Sequence, residues 1–130
     1  MCIRDSLSIL AVGIGAMLGA WLRWGLSLQL NHYLANVALG TLVVNWIGGF
    51  IIGFAVSFFA NSTLSVNYKL FLITGFCGAL TTFSTFSMEI VTLLQSGKIA
   101  YALLSIALHL IGSLLFTLLG IWAYQISLAQ

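Results

Sequence analysis

The sequence predicts an all-α integral membrane protein of four transmembrane helices, the third of them broken mid-membrane. Three observations predict it. Hydrophobic residues make up 62% of the 130-residue chain and charged residues only 5%, with a mean hydropathy of +1.16. A soluble domain needs far more charge to coat its surface. The apolar residues fall into four long runs separated by short polar breaks. The third run also carries clustered glycines and hydroxyls, which hydrocarbon tolerates only where protein or water surrounds them.

The spans run from about 7–30, 35–60, 69–94 and 99–126. Each exceeds the roughly 20 residues a helix needs to cross the hydrocarbon core. Asn31-His32-Tyr33, the segment 61–67 and Gln95-Ser96-Gly97-Lys98 separate them, and connections this short make neighbouring helices antiparallel. Residues 1–6, Met-Cys-Ile-Arg-Asp-Ser, match one reading frame of a common sequencing-library adaptor. We read them as a non-native leader ahead of a single four-helix membrane domain over 7–130. The first apolar run continues through Arg23 without a small-residue cleavage pattern, so it reads as a permanent span and not a signal peptide.

Little charge remains: Arg23, Lys69, Glu89 and Lys98. No basic run exists to bind nucleic acid, and Cys2 and Cys77 make neither a disulfide framework nor a metal cluster. No Ser/His/Asp set or phosphate loop is present, which excludes familiar enzymatic chemistry. Lys69 falls on the side of the N-terminus, Lys98 on the other, and Arg23 can snorkel toward the latter face. This near balance gives the chain no strong preferred orientation. An antiparallel, dual-topology homodimer is the natural hypothesis.

Gly15 and Gly19, and Gly49 and Gly53, form GxxxG pairs that let helix backbones approach closely. Trp21, Trp24, Trp46 and Trp122 read as packing or interfacial residues. In the third span, residues 75–87 hold five hydroxyl side chains and two glycines. Proline is absent, so any break must come from these residues. Freed carbonyls at such a break suit a small hard cation like Na⁺; the alternative is a continuous helix whose hydroxyls bond back to their own turn. Phe83 and Phe86 share one helical face. They are either filler or an aromatic pair whose electropositive edges face an anion.

Asn45 in the second span is either interhelical glue or a donor to an anion. Tyr101, Ser105, His109, Ser113 and Thr117 recur at four-residue steps along the fourth span, giving one polar stripe that is wet or interhelical. His109, as a lone histidine, reads as a hydrogen-bonded packing residue. Glu89, the one acid inside a span of 7–130, is either neutral or paired with a partner's Lys or Arg. Arg23 either snorkels or positions backbone carbonyls.

Three motifs, Gly15-xxx-Gly19-Ala20-xx-Arg23, Gly40-Thr41-xxx-Asn45-xx-Gly48 and Gly75-xx-Gly78-xx-Thr81-Thr82-Phe83-Ser84-Thr85-Phe86, together resemble the Fluc/CrcB fluoride channel family. The resemblance covers all four spans. It implies a multi-pass protein of a prokaryotic cell membrane, exporting cytoplasmic fluoride passively as an antiparallel dual-topology homodimer with two pores. A structural, non-transported Na⁺ would sit at the dimer centre on the backbone carbonyls of Gly78 and Thr81. Phe83 and Phe86 match the phenylalanines lining the fluoride path, Asn45 the pore asparagine, and Ser84, Thr85 and Ser113 polar positions along it. Arg23 and Glu89 match positions nearer the vestibules. Gly49 stands where the family commonly has serine, and His109 departs from its pattern. The main rival is a small multidrug-resistance-type proton-coupled transporter, which would place a membrane-embedded carboxylate in the first span. A non-transporting assembly subunit would explain the glycines but not the polar stripe.

Overall fold

The computed structural model describes residues 3–34 and 36–129, with side chains from residue 5 onward. Met1 and Cys2 of the expected leader, and Ala35 at the expected start of the second span, lie outside the described residues. Within them, all regular structure is helical. Helix α1 spans Ile3–Leu30, α2 spans Leu39–Ala60 and α6 spans Ile99–Ala129. The third span is a bent composite: α3 (Val66–Lys69), a π-helical stretch Leu70–Cys77, α4 (Gly78–Leu80), a non-helical joint at 81–83, and α5 (Ser84–Gln95). Four runs are long and apolar enough to cross a membrane: Asp5–Leu30, Leu39–Ala60, Val66–Gln95 and Ile99–Ala129.

Local chemistry sets the boundaries. The expected second span opened at 35, but α2 begins at Leu39 because Asn31 reaches across the turn. Its Oδ1 accepts from the N–H groups of Gly40 at 2.7 Å and Thr41 at 3.4 Å, satisfying donors that a helix start leaves unpaired. Ser65 caps α3 by accepting from the Asn67 N–H. Helix α5 stops at Gly97, whose φ of 77° no β-carbon-bearing residue adopts readily, and Lys98 N–H turns back to the Leu93 carbonyl at 2.9 Å.

Two helix pairs form the body: α1 against the arm 66–80, and α2 against α6. In a bilayer no hydrophobic force drives this pairing, so close backbone contact must. Gly15 lies against the Phe71 carbonyl and Gly19 against the Phe76 carbonyl, while Gly53 meets the Thr117 carbonyl and Gly49 lies beside Ser113 and Thr117. The outward faces are apolar: Trp21, Trp24, Trp122 and many leucines are exposed, as lipid-facing residues are.

Trp46 joins α2 to α6 differently. Its indole N–H donates to the Leu108 carbonyl at 3.0 Å, and its ring stacks on Phe116 with centroids 5.2 Å apart. Gly112 leaves the space the indole occupies. Trp46→Phe keeps an aromatic ring and loses the donor. We expect it to cost about 1 kcal/mol, read as a lowered thermal unfolding midpoint in detergent.

Candidate functional site

The joint in the third span is built by side chains that capture backbone groups from the helical ladder. Sequence reasoning places the break at Gly78–Thr81. In the structure Gly78 is helical (φ −61°, ψ −36°) and the chain turns extended at Thr81 (φ −79°, ψ 156°). The correction has a physical cause. In a continuous helix the Thr82 N–H would donate to the Gly78 carbonyl. Here it donates to Asn45 Oδ1 at 2.8 Å instead, while Asn45 Nδ2 donates to the Thr82 carbonyl at 3.1 Å. Asn45 therefore grips both backbone groups of Thr82.

The same substitution recurs one turn on. Thr85 N–H, the helical donor to Thr81, goes to the Thr82 hydroxyl at 3.2 Å. Between these two carbonyls, that of Ala79 accepts from Arg23 Nε at 3.0 Å, so Arg23 positions a carbonyl from α1. Regular bonding resumes with Ser87 N–H to Phe83 carbonyl at 2.8 Å. The Gly78 and Thr81 carbonyls are thus relieved of their helical donors, and Gly78 is exposed.

Beside the joint lies a cavity of about 820 Å³, whose walls include Asn45, Thr82, Phe83, Phe86, His109 and Ser113. Phe83 and Phe86 tilt against each other at 59° with centroids 5.6 Å apart. Phe86 also packs on the His109 ring at 4.4 Å. Phe83 is 77% exposed, so the described residues leave most of its surface uncovered. His109 is buried at 6% exposure, and its Nδ1 lies 3.0 Å from Asn45 Nδ2. Both amide N–H groups of Asn45 are consequently engaged within the chain.

Not every sequence-derived candidate reaches the cavity. Ser84 and Thr85 are exposed on the first turn of α5 and do not line it. The polar stripe of α6 divides: Ser105 and His109 are buried, Tyr101 is 44% exposed, Ser113 lines the cavity, and the Thr117 hydroxyl bonds back to the Ser113 carbonyl at 2.8 Å. Glu89 is half-buried and accepts from the hydroxyl of the fully enclosed Thr41 at 2.8 Å. Sequence reasoning missed Thr41 and Thr82 as individuals. Hydroxyls inside apolar runs were the available signal, but their partners lie 48 and 37 residues away.

The joint thus brings two aromatic rings, the Ser113 side chain and the Gly78 and Thr81 residues, whose carbonyls lack helical donors, to one cavity wall. Comparison with known proteins agrees in kind. The family described as CrcB-like protein, Camphor Resistance (CrcB), matches residues 10–121. A fluoride-specific ion channel FluC of Acinetobacter baumannii is 66% identical over 116 residues, covering 89% of this chain and 92% of its own length. Proteins of the same name from Acinetobacter baylyi and Pseudomonas putida are 59% identical over 118 residues and 60% identical over 115. These cover 91% and 88% of this chain, and 94% and 91% of their own lengths. With a match this long and identity this high, the chain belongs to the CrcB family.

Proposed function

We propose that this chain is a fluoride-selective ion channel of the bacterial cell membrane, which lowers cytoplasmic fluoride by passive efflux. It is a channel and not an enzyme. The observation that carries the reading is the joint at 81–83 set against the cavity wall of Phe83, Phe86 and Ser113, in a chain whose relatives are named for fluoride conduction. Fluoride is small and strongly hydrated. A narrow path must replace its water with aromatic edges and hydroxyl donors, which carry partial positive charge but no fixed cation to trap the ion. Ser84 and Thr85 extend this path outside the single-chain cavity.

The working unit in this proposal is an antiparallel dual-topology homodimer. Four helices alone leave the cavity open on one side, and the exposed surface of Phe83 is completed by a second copy. A structural Na⁺ belongs to the same proposal. Its fit rests on the carbonyls of Gly78 and Thr81, which lose their helical donors to Asn45 and Thr82. Hard oxygen ligands of this type suit Na⁺, and the ion would tie two copies together at the joint. Glu89, with Thr41, and Arg23 would stand nearer the vestibules.

Efflux from liposomes loaded with fluoride, chloride or a cationic dye tests the reading. Rapid loss of fluoride alone is expected. Dye release driven by a proton gradient would point to the small multidrug-resistance alternative, and silence from well-folded dimers would overturn the channel. Replacing Na⁺ by a large organic cation on both sides should reduce fluoride flux; unchanged flux would remove Na⁺ from the proposal.

A further inference from the structure

The joint at 81–83 is held open by Asn45, and Asn45 is itself held by His109. Its amide uses Oδ1 and one N–H on the backbone N–H and carbonyl of Thr82. That pairing fixes which end is oxygen, since a flipped amide would set N–H against N–H. The second N–H then points at His109 Nδ1, 3.0 Å away. For Nδ1 to accept, the ring must carry its proton on Nε2. The ring is buried and packs on Phe86 at 4.4 Å, so it is not free to swing aside.

We infer that His109 is a positioning residue for the Gly78 carbonyl, acting through Asn45, and this rests on the Na⁺ reading above. Without an acceptor at 109, one Asn45 N–H stands unpaired in a largely apolar wall, a costly arrangement. The amide then turns to find a partner and releases the Thr82 N–H. The acceptor in helical register for that N–H is Gly78. One restored ladder bond withdraws the carbonyl that the cation would use. His109 thereby links Phe86 to the Gly78 and Thr81 residues that line the same cavity.

The test is the Na⁺ dependence of the thermal unfolding midpoint of the purified full chain, a readout independent of conduction. Asparagine at 109 places its side-chain oxygen on Cγ, where Nδ1 stands in histidine, and leucine offers no acceptor. His109→Leu should need about tenfold more Na⁺ for the same stabilisation. His109→Asn should recover it to within about threefold. His109→Leu with the wild-type Na⁺ dependence would overturn the relay and leave the channel standing. A wild-type protein whose melting ignores Na⁺ would overturn the Na⁺ reading and the relay with it. Should His109→Leu fail to fold, the ¹⁵N spectrum of the wild-type imidazole decides. An unprotonated, hydrogen-bonded Nδ1 with protonated Nε2 supports the relay, and a proton on Nδ1 overturns it.

Discussion

Replacing Phe86 by isoleucine is expected to lower fluoride efflux from proteoliposomes about tenfold, the loss of roughly one aromatic interaction in the path. Isoleucine nearly fills the volume and keeps the wall apolar, but it has no quadrupole. In the proposed pathway a passing anion would meet the positive ring edge of phenylalanine and would find no equivalent on an aliphatic side chain. Phe86 is the more informative of the two rings because it is wedged between Phe83 and His109, which fixes its orientation. Phe83, 77% exposed, depends on what covers it. Dimer yield by size exclusion and the unfolding midpoint should stay near wild type. Normal flux through Phe86→Ile would mean that the rings are filler, the bland alternative the spacing alone left open.

The contrast between Phe86 and Asn45 shows how far the sequence reaches. Four spans were legible because hydrocarbon imposes a length and a composition that no other environment demands. Residues 75–87 stood out for the same reason: hydroxyls and glycines there needed an explanation. What composition could not show was which backbone group each polar side chain would take. Asn45 reads first as interhelical glue and also as an anion donor, and only the fold brings Thr82 and His109 to it. The break accordingly moved from Gly78–Thr81 to 81–83, since its position is set by a residue 37 places away. The π-helical stretch Leu70–Cys77 was wholly silent. Leu-Phe-Leu-Ile-Thr-Gly-Phe-Cys has the apolar pattern of any buried helix, and one extra residue per turn leaves no mark on it.

Helix packing gives the second large prediction, at a glycine the GxxxG reading did not single out. A β-carbon on Gly120 would meet the Phe50 carbonyl oxygen and the Phe54 backbone nitrogen of α2. Both belong to a helix backbone, which cannot rotate away as a flexible side chain can. Gly53, facing the Thr117 carbonyl, makes the reciprocal contact from α2, so the two helices touch backbone to backbone at two levels. Gly120→Ala must push α6 outward, and it should cost about 1–3 kcal/mol, seen as a lower unfolding midpoint. Gly13→Ala is the control, because beyond its own helical turn no described atom lies within 4 Å of its added β-carbon. There the better helix propensity of alanine should leave stability unchanged or raise it by up to about 1 kcal/mol. If the two substitutions behaved alike, close packing of α2 on α6 would not be what holds this pair together in the membrane. The outward shift also moves Ser113 and His109, both carried by α6, away from Asn45. Flux should therefore fall in Gly120→Ala even in the fraction that remains folded.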